Sequence, residues 1–176
     1  MKATGIVRRI DDLGRVVIPK EIRRVMRIRE GDPLEIYTDR EGEVIFKKYS
    51  PIGELNDFAS DYCESLNKSS GVRAFVCDRD SIVAASGVSK KEFLEKKLPE
   101  ALEMLLAERC IYTYRAGEEG VELFASQFLC ALFPVISEGD LRGAVGFVGD
   151  HPAEPSPAEV SLGKTAALFL AKRLGE

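Results

Sequence analysis

The first fifty residues contain only short apolar segments, each interrupted by turn-forming residues before it could make a long element. The alternation of apolar and polar residues predicts one strand over residues 4–10 and another over residues 15–18. Residues 11–14 read Asp-Asp-Leu-Gly, a composition typical of a tight turn. Gly14 is the structural residue of this turn, since glycine adopts the required left-handed backbone conformation without strain.

The rest of this segment predicts one short helix and one hairpin. Pro19 ends the second strand and suits the first helical position, so a helix is expected to reach about Met26. Residues 34–40 and 43–49 then predict a hairpin across Glu41 and Gly42. Four short strands and one helical turn bury too little surface to fold alone. We therefore expect residues 1–50 to form an intertwined homodimer.

The charge of the chain is unevenly distributed. The net charge is -4, yet residues 1–50 hold 12 Lys and Arg against 9 Asp and Glu, a balance of +3. Residues 51–176 therefore hold 13 against 20, a balance of -7. Within residues 1–29 nine basic residues stand against three acidic ones. A basic end on an acidic chain favours a polyanionic partner for that end.

From residue 51 onwards, helical and strand patterns alternate. Apolar residues at helical spacing over 55–66 predict a helix with one buried face, and two hairpins are predicted over 73–85 and 129–148. Ser-x-x-Glu patterns at Ser89 and Ser156 predict capping boxes that open two further helices. Hairpins packed by helices indicate an α+β fold with an antiparallel sheet.

These patterns predict three parts. Residues 1–50 form the first domain, residues 51–70 a linker helix, and residues 71–176 the second domain. Residues 113–120 are expected to be a loop within the second domain.

The sequence over residues 4–19, TGIVRRIDDLGRVVIP, followed by Arg23 and Arg24, closely resembles the swapped-hairpin DNA-binding domain of AbrB-type transition-state regulators. The continuation over residues 27–36, RIREGDPLEI, is similar to the branch of that family represented by stage V sporulation protein T. The resemblance covers residues 1–50 almost without gaps. Beyond residue 50 it depends on the overall layout, which is similar to that of a GAF domain.

The resemblance implies a transcription regulator of sporulation-phase genes that represses some promoters and activates others. It implies double-stranded DNA as the partner, with a preference for flexible, A·T-rich sequences read through shape. It also implies a homodimer through residues 1–50, a homotetramer through the second domains, and tuning of that association by a small-molecule effector at the GAF-like domain. The candidate pocket lining is residues 75–86, 89–97 and 129–147. From the residues alone, a second domain that serves only dimerisation or packing is an equally good interpretation. The DNA-facing residues it implies are Arg8, Arg15, Arg23 and Arg24, with Arg9 as an auxiliary.

The chemistry of these residues agrees with that role. Guanidinium groups pair bidentately with phosphate oxygens or with guanine edges. Composition alone gives equal weight to a solvated charged face, because charged residues usually lie at the surface. A swapped-hairpin antitoxin is a second alternative, but antitoxins usually follow the hairpin with a flexible tail rather than a patterned domain. A small-molecule sensor or enzyme built on the second domain is a third alternative.

Several other classes of protein find no support. His151 is the only histidine, so neither a catalytic triad nor a histidine metal site can be assembled. The GxxGxxG pattern of Gly143, Gly146 and Gly149 lies inside a predicted strand, where close packing is the better interpretation than a dinucleotide site. We therefore expect no enzymatic activity, no metal and no cofactor.

The cysteines, one pair of aspartates and the length of the apolar runs provide three further expectations. The four cysteines are far apart in sequence, as expected of reduced thiols. An Asp pair, Asp78 and Asp80, fits an ordinary hairpin turn better than a metal site. No apolar run approaches the length of about 20 residues that spans a bilayer, and we expect a cytoplasmic, nucleoid-associated location.

Overall fold

The computed structural model describes residues 4–175. The chain divides into two compact units, Met1–Tyr49 and Ser50–Glu176, which we describe separately. No helix within the described residues is long and apolar enough to cross a membrane.

The first unit holds one helix and one hairpin. These are α1 (Lys20–Val25), β1 (Leu34–Thr38) and β2 (Val44–Lys48), with β1 and β2 antiparallel. The turn between the strands is organised by Asp39, whose Oδ1 accepts hydrogen bonds from the backbone N–H of Glu41 (2.9 Å) and of Glu43 (2.8 Å). The hairpin lies where the sequence predicts it, with each strand two residues shorter.

The strands predicted over residues 4–10 and 15–18 do not form in the single chain, where neither segment belongs to a strand. A strand is defined by its ladder, and these segments have no neighbour to supply one beyond the pair of Asp11 N–H with the Arg15 carbonyl oxygen (3.1 Å). Their apolar side chains are left in solvent; Val7 is 90% exposed and Val17 70% exposed. The two predicted strands are therefore not formed in this chain, because neither segment has a ladder within the described residues.

The second unit is an antiparallel sheet of five strands in the order β4-β3-β7-β6-β5, with five helices around it. Its elements, in chain order, are α2 (Pro51–Glu54), α3 (Asn56–Ser70), β3 (Arg73–Cys77), β4 (Ile82–Ser86), α4 (Lys90–Phe93), α5 (Glu100–Ala107), β5 (Tyr112–Thr113), β6 (Phe128–Ser137), β7 (Asp140–Gly149) and α6 (Pro157–Leu174).

Two apolar clusters hold this unit together. In one, α3 and α6 pack on the sheet through fully buried residues such as Cys63 and Leu170 of the helices and Phe133 of β6. In the other, α4 and α5 pack through Phe93 and Leu102. The segment 51–70, predicted as a separate linker helix, comprises α2 and α3, and its buried face belongs to the core of this second unit.

The two predicted capping boxes have different outcomes. At the start of α6 the box is complete: Ser156 Oγ accepts from the N–H of Glu159 (3.2 Å) and Glu159 Oε2 accepts from the N–H of Ser156 (2.6 Å). At Ser89 no side-chain cap forms, so that prediction is wrong. The helix there is one turn long, because the N–H of Glu95 returns to the carbonyl oxygen of Ile82 (3.0 Å) and draws the chain back to the sheet edge.

The glycines of the GxxGxxG pattern lie in β7, and two of them permit close approach, as the sequence predicts. A Cβ on Gly143 would lie 2.0 Å from the carbonyl oxygen of Cys77. A Cβ on Gly146 would lie 2.1 Å from the ring of Phe75, its cross-strand neighbour.

Candidate nucleic-acid interface

The turn over residues 11–15 is held by one carboxylate. Asp11 Oδ1 accepts from the backbone N–H of Leu13 (3.0 Å) and of Arg15 (2.8 Å), while the carbonyl oxygen of Asp11 accepts from Gly14 N–H (3.0 Å). Gly14 has a φ of +78°, the left-handed conformation that glycine adopts without strain. The predicted turn residue thus lies in the conformation that its role requires.

Arg15 is oriented by the same aspartate. Its Nε–H donates to Asp11 Oδ2 at 2.8 Å, and the pair is an i,i+4 ion pair. The backbone and side-chain hydrogen bonds from Arg15 lower the pKa of Asp11. The Arg15 side chain nevertheless remains 69% exposed, so its guanidinium faces solvent while one edge is held.

The other four predicted arginines are also exposed. Arg8 and Arg9 precede the turn, and Arg23 and Arg24 occupy the last turn of α1. Within residues 4–175 none of these four side chains makes an ion pair or a hydrogen bond. Arg8, Arg9, Arg23 and Arg24 are therefore available to an external anion, and Arg15 remains accessible through its Nη groups.

A lysine on the hairpin fixes the end of α1. Lys48 Nζ donates to the carbonyl oxygen of Arg27 (3.0 Å) and lies 3.4 Å from Asp32 Oδ2. Arg27 itself has a φ of +52°, which ends the helix, and the N–H of Ile28 returns to the carbonyl oxygen of Arg23 (2.8 Å). The hairpin thereby positions the helix that carries two of the predicted arginines.

Sequence reasoning did not single out Asp11 or Lys48 as functional. The signal for Asp11 was present, because aspartate often accepts hydrogen bonds from backbone N–H groups two to four residues ahead. The signal for Lys48 was absent, since its partners lie 16 and 21 residues away in the chain.

An aromatic cluster lies on the helices of the second unit. The ring of Phe169 in α6 lies 5.5 Å from that of Phe58 and 6.1 Å from that of Tyr62, both in α3, measured between ring centroids. The guanidinium of Arg173 lies 5.8 Å from the centroid of Phe58. Phe169 is 42% exposed and its neighbour Leu168 72% exposed, so these two side chains add apolar surface next to the rings. We call these four apolar residues, Phe58, Tyr62, Leu168 and Phe169, the helical face.

Part of the lining that the sequence predicts for a ligand pocket, around residues 75 and 93, is packed core. Phe75 and Phe93 are fully buried there, with their ring centroids 6.3 Å apart. A cavity of about 160 Å³ lies between the start of β3, the bulged part of β6 at Cys130, and the loop that leads into α6. Of the predicted pocket lining, Cys130 and Phe147 contribute to this cavity. Within residues 4–175 no group of three or more His, Cys, Asp or Glu side chains could hold a metal ion.

Comparisons with known proteins agree with this division of the chain. A family model described as stage V sporulation protein T C-terminal, transcription factor, matches residues 54–175. The chain is 48% identical, over an alignment of 179 residues, to stage V sporulation protein T of Bacillus subtilis (strain 168), and 99% of each protein is covered. The chain belongs to the stage V sporulation protein T family. The resemblance predicted from residues 4–36 is therefore confirmed.

The two units have relatives of their own. The transition state regulatory protein AbrB of Bacillus subtilis (strain 168) is 56% identical over 63 residues, which is 32% of this chain and 65% of that protein. A model described as antidote-toxin recognition MazE, bacterial antitoxin, matches residues 7–53. The chain is also similar in fold to the GAF domain of an Acinetobacter phosphoenolpyruvate-protein phosphotransferase, with a TM-score of 0.52 and 14% identity over 68% of this chain and 81% of that one. The predicted fold class, an AbrB-like module followed by a GAF-like α+β domain, is confirmed.

Proposed function

We propose that this family member regulates transcription of sporulation-phase genes by gripping double-stranded DNA with the exposed arginines of its first unit. The observation that carries the proposal is the state of Arg8, Arg9, Arg23 and Arg24, four solvent-exposed guanidinium groups with no acidic partner within residues 4–175. Such groups bind phosphates by releasing condensed counterions. The proposal also places the protein at the nucleoid.

The proposed DNA-binding species is a homodimer through residues 1–50. Exposed apolar residues in this unit, among them Val7, Ile10 and Val17, support it, since a monomer would leave them in water. The segments 4–10 and 15–18 lack ladder partners, and a second copy would supply them. Pairing of two copies would bring together eight principal arginines, namely Arg8, Arg15, Arg23 and Arg24 of each chain.

The helical face supports a second association, of two dimers into a homotetramer. Aromatic residues are enriched at the buried centres of protein interfaces. Phe58, Phe169 and Leu168 offer such a surface on two neighbouring helices. Replacement of Leu168 by Glu should halve the mass measured by light scattering without abolishing DNA binding.

The test of DNA binding is the salt dependence of the affinity for a duplex. If all eight arginines of a dimer neutralise phosphates, log K against log[salt] has a slope of about -7. Replacement of Arg8 by Ala removes two contacts per dimer and should make the slope shallower by about 1.8. Arg115→Ala, at an exposed arginine of the second unit, is the matched control and should leave the slope unchanged. A slope near zero for the wild type, or wild-type binding by the Arg8 variant, would refute the proposal.

The preference for flexible, A·T-rich DNA is part of the proposal. Shape and deformability discriminate sequences where side chains make few base contacts. Competition between A·T-rich and G·C-rich duplexes of equal length tests it. Equal affinity for the two would contradict it.

A second candidate function is small-molecule sensing by the GAF-like unit, and the cavity of about 160 Å³ beside Cys130 favours it. In the combined form, a bound small molecule would change the affinity for DNA. A ligand that binds stoichiometrically and leaves DNA affinity unchanged would favour a separate sensor instead. An antitoxin role is disfavoured, because residues 54–175 form a folded domain rather than a toxin-wrapping tail.

A further inference from the structure

The geometry of the 11–15 turn points to a specificity role for Asp11: we propose that it holds Arg15 so that this arginine reads a guanine edge and is kept off phosphates. The inference rests on the proposed DNA-binding function. It assigns different tasks to arginines that composition cannot tell apart.

Asp11 occupies one edge of the Arg15 guanidinium and leaves the other open. Asp11 Oδ2 accepts from Arg15 Nε–H, and neither Nη group of Arg15 donates a hydrogen bond in the part of the chain that the structure describes. The two Nη groups therefore remain free to donate in parallel. That fork matches the O6 and N7 acceptors of guanine as well as the oxygens of a phosphate.

The hydrogen bonds of Asp11 also restrict the motion of the Arg15 side chain. Three hydrogen bonds tie Asp11 to the turn, two to backbone N–H groups and one to Arg15. An arginine fixed at its Nε loses less conformational freedom when its fork docks than one that is free in solvent. Arg23 and Arg24 have no such support in the described structure, which suits contacts that follow the DNA backbone.

The negative charge of Asp11 favours an uncharged ligand for Arg15 over a phosphate. The Asp11 carboxylate lies 2.8 Å from Arg15 Nε, so a phosphate that approached the guanidinium would meet a like charge nearby. A guanine edge carries no net charge and meets less repulsion. The ion pair thereby disfavours binding of Arg15 to a phosphate and orients the same side chain towards a guanine edge.

Asp11→Asn separates these effects from folding of the turn. The amide oxygen still accepts from the N–H groups of Leu13 and Arg15, whereas the amide nitrogen cannot accept from Arg15 Nε–H. Asp12→Asn is the matched control: Asp12 lies in the same turn and its carboxylate accepts none of the hydrogen bonds found there. The two variants remove the same charge, and Asp11→Asn alone releases Arg15.

The measurement uses the full chain and two duplexes: one selected by the wild-type protein from random sequences, and one of the same composition with permuted sequence. Selectivity is the affinity for the selected duplex divided by that for the permuted one. We expect Asp11→Asn to lower this selectivity about tenfold or more, which is the discrimination that one bidentate pair provides. Asp12→Asn should leave it within about twofold of the wild-type value. Released arginines would also find phosphates, so the salt slope of Asp11→Asn should steepen by about 1.8 per dimer. For the wild type the inference therefore predicts a slope of about -5.4 from six phosphate-bound arginines, shallower than the slope of about -7 expected if Arg15 also bound phosphates.

Arg15→Lys provides the second variant, because lysine keeps the charge and lacks the fork. It should lose the same selectivity as Asp11→Asn with the salt slope retained. Equal ratios for Asp11→Asn and Asp12→Asn, or full selectivity in Arg15→Lys, would overturn the inference while DNA binding by the wild type stands. If the wild type and Arg15→Ala alike fail to bind any duplex, the proposed function itself fails.

Discussion

Gly146→Ala tests how tightly the sheet of the second unit is packed. Gly146 pairs with Phe75 across β3 and β7, and the added methyl would lie 2.1 Å from Cζ and 2.2 Å from Cε1 of that ring. Carbon atoms in contact prefer about 3.5–4.0 Å, so the ring must move by roughly 1.5 Å. Phe75 is fully buried and has Phe93 as a ring neighbour, which leaves it little room.

The expected loss of stability follows from two opposing effects. Overpacking of a core costs about 1–3 kcal/mol, while Ala in a strand interior gains about 0.5–1 kcal/mol over Gly. The net loss is therefore up to about 2.5 kcal/mol. For a unit of this size, roughly 4 °C of melting temperature corresponds to 1 kcal/mol, so the variant should melt lower by up to about 10 °C in calorimetry of the full chain.

A double-mutant cycle identifies the ring as the cause. Phe75→Leu removes the atoms that the new methyl would meet, so Phe75→Leu combined with Gly146→Ala should be less destabilised than the sum of the single changes by about 1 kcal/mol. Additive effects would show that the strain arises elsewhere. A Gly146→Ala protein that melts at or above the wild-type temperature would refute the packing argument.

Two further predictions concern stability of the second unit. Ser156→Ala removes the cap of α6 and should cost about 1 kcal/mol by urea denaturation, whereas Ser161→Ala on the same helix should cost much less; equal losses would contradict the capping role. Asp150→Asn tests a pH-dependent contribution: the hydrogen bonds from Arg73 hold the pKa of Asp150 at about 2, below its ordinary 3.8, so the pair stabilises the fold above about pH 4 and loses that effect as the pH falls towards 2. The stability difference between wild type and Asp150→Asn should therefore shrink over this window, and a difference independent of pH would exclude the ion pair as its source.

Local patterns in the sequence predicted most of the second unit. The capping box at Ser156 forms as expected, because its donors and acceptors lie within one turn of each other. The same pattern at Ser89 forms no side-chain cap, and that helix ends after one turn, where the N–H of Glu95 returns to the carbonyl oxygen of Ile82 in the sheet. The two-residue strand β5, at the start of the predicted 113–120 loop, was likewise missed, since its only support is pairing with β6.

The first unit shows a different limit. Alternating residues over 4–10 and 15–18 predict strands, yet a ladder needs a neighbour that one chain does not provide. The five arginines could be selected from the sequence by family resemblance. The hydrogen bonds that distinguish Arg15 from the rest could not, because side-chain orientation depends on the turn geometry set by Asp11 and Gly14.

The helical face could be predicted from the sequence only in part. Helical spacing over 55–66 predicts a buried face, and Ala59, Cys63 and Leu66 are buried as expected. The spacing alone does not show that Phe58 and Tyr62 meet Phe169 of a helix some hundred residues later. That juxtaposition is a product of the tertiary fold.

DNA binding through the first unit is tested most directly by a genome-wide map of the DNA bound by the wild-type protein and by Arg15→Ala in the source organism. We expect discrete occupied sites for the wild type, concentrated in flexible A·T-rich regions, and their loss in the variant at equal protein level. Identical occupancy for the two proteins would contradict the claim that the arginines of the first unit hold the duplex.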